Sequence, residues 1–147
     1  MTSADSLSLL RRGLLALLAF GSAGILVELV LLEHYEEPFQ WTPLVLLSLT
    51  LASILWHWLD GRKRSLRAFQ VVMLLLIVAG TVGVALHSWG NFEFERELNP
   101  DSAGLEFWIE VLRGATPMLA PGTLVQFGLL GLLYAYRHPA LTPPPGP

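Results

Sequence analysis

The chain reads as an all-α integral membrane protein: four transmembrane helices, both termini on the inner side, and a short amphipathic interfacial helix in the long outer loop. Three observations carry that expectation. Charged residues make up only 14% of the 147 residues, against about 25% in an ordinary soluble domain. The shortage leaves four nearly uncharged windows, at about 13–32, 42–59, 68–88 and 116–136, each close to the ~20 helical residues that cross roughly 30 Å of hydrocarbon. The cations, finally, are one-sided. Of the nine Lys and Arg residues, Arg11, Arg12, Arg62, Lys63, Arg64, Arg67 and Arg137 flank the inner ends of these windows, and only Arg96 and Arg113 lie in the opposite loops.

Short loops rich in Lys and Arg stay in the cytoplasm, which sets the expected orientation. The opposite loops hold Glu33, Glu36, Glu37, Glu93, Glu95, Glu97, Asp101, Glu106 and Glu110. In a bacterial cell this describes a multi-pass protein of the plasma (inner) membrane with acidic loops outside. Residues 1–138 form one transmembrane domain, and the proline-rich tail 139–147 is expected to be disordered.

Helix 1 follows Arg11-Arg12. The order of two arginines, "GLLALLAF" and "GSA" is also that of a cleavable export signal, but the apolar run continues to Leu32, too long for a signal core. Residues 1–10 are therefore read as a frayed or interfacial start to the helix. Gly21 and Gly24 in "GSAG" let a neighbouring backbone come close. In "EHYEEPFQW", Pro38 stops the helix and Trp41 suits the headgroup level. Helix 2 places Ser48, Thr50 and Ser53 near mid-membrane and Trp56 and Trp58 at the inner boundary. "GRKRSLR" is a tight basic turn. Helix 3 carries a second small-residue patch, Gly80 and Gly83.

The connection 89–115 is the long one. Within it, a helix at about 102–113 puts Leu105, Trp108, Ile109 and Leu112 on one stripe, with Glu106, Glu110 and Arg113 opposite. Ser102 is positioned to cap its start, and Gly114 to end it in a left-handed turn. Such a helix lies on the outer membrane surface. In helix 4, Pro117 fits the first turn and Pro121-Gly122 kink or loosen the outer end. Gly128 and Gly131 offer a further packing site, and Gln126 is expected to hydrogen-bond across helices.

The chemistry legible in the chain is sparse. There is no cysteine, which excludes disulfides, thiolate metal sites and Fe–S clusters. No phosphate loop, no nucleophile–base spacing and no inverted repeat is present, and no nucleic-acid partner is expected. One stretch stands out, "GILVELVLLEHYEE", which sets Glu28 in an apolar run and ends in acid around His34. On helical rise, Glu28 lies about 24 Å beyond Arg12, His34 about 33 Å, and His87 about 30 Å beyond Arg67. If helices 1 and 3 are adjacent, His34 and His87 meet at one level, with Glu28 beneath and Glu37 and Glu93 nearby. Imidazole and carboxylate together suit a divalent metal. His34 with His87, and His57 with His138 at the inner ends, also have the placement of b-haem axial ligands. Interfacial histidines and solvated acids explain the same residues without a ligand. The uncharged bilayer centre argues against ion-coupled transport by a monomer. The leading expectation is a non-enzymatic accessory or structural subunit, in contact with lipid and with copies of itself or other membrane subunits. A metal- or haem-binding membrane protein comes second, and a small transporter or channel third.

Overall fold

The computed structural model describes residues 2–141, except for the side chains of residues 3 and 4, and every regular element in that range is helical. The helices are α1 (Ser3–Leu31), α2 (Trp41–Asp60), α3 (Lys63–Leu98), α4 (Gly104–Arg113) and α5 (Gly122–Ala135), with 3₁₀ turns at Pro38–Gln40 and Pro139–Leu141. The expected disordered tail falls outside the described residues from 142 onward.

Among the described residues, three helices are long and apolar enough to cross a membrane: α1, α2 with its preceding turn, and α3. Their apolar windows are only 11%, 33% and 22% buried. Most of their leucines and valines therefore face outward, a surface that suits lipid and not water. The fourth window behaves differently. Only Gly122–Ala135 is α-helical, about 21 Å at 1.5 Å per residue. Pro121 has no N–H to donate and crowds the preceding turn. Residues 117–124 instead close three-residue turns: Ala120 N–H to Pro117 O at 3.0 Å, Gly122 to Leu119 at 2.9 Å, Thr123 to Ala120 at 3.1 Å and Leu124 to Pro121 at 3.0 Å. The loosening expected from Pro121-Gly122 thus takes the whole outer end of the window out of the α-helix.

Two helices outrun the windows. α1 starts at Ser3 because Thr2 and Asp5 form a capping box, Thr2 N–H to Asp5 Oδ2 at 2.8 Å and Asp5 N–H to Thr2 Oγ1 at 3.2 Å, satisfying two donors that a helix start otherwise leaves unpaired. α3 runs ten residues past the expected end at 88, through "SWGNFEFEREL". That segment holds no proline, and its glutamates and arginine are good helix formers.

α1 packs on α2 and α5, and α3 on the same two helices, closing a ring in which α1 and α3 lie across the diagonal. The premise that helices 1 and 3 are adjacent is corrected here. Leu18, Leu47, Leu66, Phe69, Met73 and Leu76 fill the centre. The α3–α5 seam is the tightest, because a Cβ at Gly80 would lie 2.8 Å from Pro121 O and one at Gly83 2.7 Å from Pro121 Cβ. Gly128 and Gly131 likewise back onto Met73, and Gly21 onto the Phe127 ring. Gly24, by contrast, has nothing within 4 Å of its Cβ position. It lies on the outer surface of α1, not in a helix contact. Gln126 is exposed as well, on the side of α5 turned away from α3, and makes no cross-helix bond among the described residues.

Candidate functional site

The acidic end is where sequence reasoning placed a site. The α1 terminus turns back through Glu33, whose φ of 53° is left-handed, with His34 N–H reaching Leu29 O at 2.9 Å and Glu33 N–H reaching Val30 O at 3.1 Å. This paired closure is the usual helix stop, here with a glutamate where glycine is favoured. Burial, and then the charge of His87, hold the His34 imidazole below the ordinary histidine value.

His87 Nδ1 lies 3.3 Å from Pro117 O. A carbonyl only accepts, so Nδ1 carries the hydrogen and the neutral ring keeps its lone pair on Nε2. One turn further, Asn91 is 1% exposed and grips the loosened segment before α5. Its Nδ2 donates to Thr116 O at 2.9 Å, while its Oδ1 accepts from Thr116 N at 3.0 Å and Thr116 Oγ1 at 2.8 Å. A further turn on, the buried Glu95 accepts from Asn99 Nδ2 at 2.8 Å. His87, Asn91 and Glu95 thus form one polar stripe at i, i+4, i+8, and the first two hold the chain leading into α5.

The proposed ligands Glu28, His34, Glu37, His87 and Glu93 make no hydrogen bond or ion pair with one another among the described residues. Among the described residues no three His, Asp or Glu side chains converge to hold a metal ion. Glu28 and Glu93 are exposed. Glu28 follows Gly21 by seven residues, which puts it on the same edge of α1 as the Gly21–Phe127 contact with α5.

The short amphipathic helix expected at about 102–113 is present as α4, with a difference. Phe107 and Val111 are its buried residues, and Phe107 meets Phe92 of α3 edge-on at 5.5 Å. Arg96 stands over both rings, 5.9 Å from Phe92 and 5.2 Å from Phe107. The stripe of Leu105, Trp108, Ile109 and Leu112 remains exposed on a second face. Neither assigned cap acts as expected. Ala103 precedes the helix in place of Ser102, and the left-handed glycine is Gly104, with φ 69°, while Gly114 has φ 14°. Gly114 matters because its missing Cβ leaves room for the Asn91 amide.

The basic end brings His57 and His138, paired from the sequence only as haem ligands, together with Tyr134 and Arg11, which the sequence did not connect to them. Arg11 Nη2 donates to Tyr136 O at 3.2 Å and Arg137 O at 2.9 Å. A cation at a helix C-terminus satisfies carbonyls that have no intrahelical donor, and here it ties the start of α1 to the end of α5. Beside it, His57, Tyr134 and His138 meet, with ring centroids 5.9, 5.3 and 5.2 Å apart. The His57 and His138 rings touch edge to face, which leaves no room for a porphyrin between them. His57, 4% exposed, has Nδ1 3.1 Å from Ser65 Oγ, and Ser65 donates its own hydrogen to Arg62 O at 2.8 Å. Ser65 therefore accepts from His57 Nδ1–H, and Nε2 holds the lone pair. His138 is the opposite tautomer, because its Nδ1 accepts from Ala140 N–H at 3.2 Å and Nε2 carries the hydrogen. Burial, then His57, then Arg11 hold His138 below the ordinary histidine value. No sequence signal joined them, since His57 lies in the last turn of α2 while Tyr134 and His138 close α5, far away in the chain.

No protein-family model, curated protein or solved structure matches this chain. The class rests on the fold itself: an all-helical protein with three helices suited to crossing a membrane and a shorter, proline-interrupted fourth.

Proposed function

We propose that the chain is a small polytopic protein of the plasma (bacterial inner) membrane, crossing four times with both termini in the cytoplasm. It serves, without catalysis of its own, as an accessory or structural subunit of a membrane assembly formed with its own copies or other subunits. The fourth crossing combines α5 with residues 116–121, whose loosened backbone is supported by Gly80, Gly83, His87 and Asn91. Irregular backbone at membrane depth needs that kind of cover by protein.

One observation carries the subunit reading. Glu28 and Gln126 lie within apolar helices, are exposed, and have no side-chain partner among the described residues. A carboxyl or amide facing hydrocarbon is unfavourable, and a neighbouring transmembrane helix offering a donor and an acceptor relieves both. Interhelical hydrogen bonds in membranes are worth about 1 kcal/mol. Gln126→Leu is therefore expected to weaken association about fivefold, measured by light scattering of the detergent-purified protein across a dilution series. A protein that is monomeric at every concentration, and that captures no partner in its native membrane, contradicts the reading.

Metal binding at the outer face is the second reading, favoured by the orientation of His87 toward Pro117. Metal ligands commonly donate their other ring N–H to a carbonyl in this way. With two imidazoles from one chain, the remaining ligands come from a second subunit or from water. Elemental mass spectrometry of the purified protein tests it: near-stoichiometric metal lost in His87→Ala supports the site, and background levels after reconstitution remove it.

A further inference from the structure

We propose that the cavity at the basic end of the molecule binds a phosphate group, held between the α1 arginines and the His57–Tyr134–His138 cluster. This goes beyond the subunit reading and shares with it the premise that the basic end meets a bilayer surface. The cavity measures 660 Å³, inside the about 300–1,000 Å³ typical of small-ligand sites. Arg11, Arg12, His57, Tyr134 and His138 all line it, together with the apolar faces of Leu15 and Trp58.

The lining has a definite polarity, with two arginines and no carboxylate. The nearby Asp60 is engaged elsewhere, 3.0 Å from Arg64 and 3.8 Å from Arg62. The donors left over face one region. Arg11 commits Nη2 to the α5 carbonyls, and its remaining N–H groups are available. Arg12 forms no ion pair among the described residues. His138 has its Nε2–H unused, since Nδ1 is occupied by Ala140, and the Tyr134 hydroxyl has no protein partner among the described residues. Donors of this kind, gathered without a counter-charge, match the several acceptor oxygens of a phosphate. Leu15 and Trp58 supply the apolar wall against which the glycerol and first acyl carbons of an anionic phospholipid lie. Inorganic phosphate offers the same oxygens without that apolar part.

The test is native mass spectrometry of the full chain, released from micelles of equal phosphatidylglycerol and phosphatidylcholine. Wild type is expected to retain phosphatidylglycerol preferentially. Arg12→Gln and His138→Gln should each reduce that retention about tenfold, the scale of one charge-assisted hydrogen bond. Lys63→Gln, at the same end but outside the cavity, should change it less than about twofold. Displacement by millimolar inorganic phosphate identifies a soluble phosphate as the source, and resistance to it identifies the lipid; both keep the phosphate site. Equal retention of the two lipids together with no retained inorganic phosphate, or an equal loss in Lys63→Gln, overturns it. Resistance to alkaline carbonate extraction, read on the same variants, separates failure of the cavity from failure of the membrane reading.

Discussion

Glu33 occupies a backbone position that favours glycine. Its φ of 53° places an L-residue in the left-handed region, which is disfavoured by about 1–2 kcal/mol. Glu33→Gly is expected to raise stability by about 1 kcal/mol, seen as a higher midpoint in thermal unfolding of the detergent-solubilised protein; a lower midpoint would show that the carboxylate has a partner. Asn91 acts in the opposite sense. Truncating it to alanine leaves Thr116 N–H and O without their Asn91 partners at a partly buried joint, with an expected loss of about 1 kcal/mol. His34 and His138 set an acid limit. Both have folded-state values below the unfolded one, so each favours folding less once protons bind. Above about pH 6.5, the unfolded value, both states are neutral and neither contributes. Stability falls as the pH drops through that value toward the lower folded ones. A thermal midpoint that declines between pH 7.5 and 5, and declines less in His34→Gln, is the expected result.

The α3–α5 seam depends on glycines in a way that substitution can resolve. Gly128→Leu forces a side chain into Met73 and Ile77 and is expected to destabilise by about 1–3 kcal/mol, whereas Gly24→Leu, with open space around it, should be neutral in denaturant titration. Both were legible only as small residues in apolar runs. A single helix shows that a neighbour is able to approach but not from which side, so Gly24 read the same as Gly21. Helix cores were legible from hydropathy, because the windows 42–59 and 68–88 fall inside observed helices and 13–32 overruns α1 by one residue. Their ends were not. A capping box extends α1 upstream, and α3 continues through a polar segment because Phe92 and Arg96 pack with α4 beyond the apolar window. The stripe of α4 was found correctly, but Phe107 and Val111, one residue off that stripe, carry its contact with α3. The basic-end cavity was illegible because the start of α1 and the ends of α2 and α5 must be assembled before Arg11, Arg12, His57, Tyr134 and His138 share a wall.

Within the apolar helices, Glu28 and Gln126 are exposed polar side chains without a hydrogen-bond partner among the described residues, whereas exposed Ser48 and Thr81 bond their own helix carbonyls. α1 and α5, which carry the first two, are neighbours in the ring. The charges give the whole molecule two unlike ends, basic where Arg11, Arg12, Arg62, Arg64 and Arg137 gather and acidic where the α1–α2 turn and the α3 extension emerge. The account holds that the face carrying Glu28 and Gln126 is covered by another polypeptide in the membrane. Because the chain has no cysteine, a single introduced thiol reports on one position without interference. The most direct measurement attaches a short thiol-reactive photocrosslinker at Gln126→Cys, with Val78→Cys on α3 as the comparison, in native membranes. The account predicts protein adducts from position 126 and lipid adducts alone from position 78. Lipid adducts alone from both positions would contradict it.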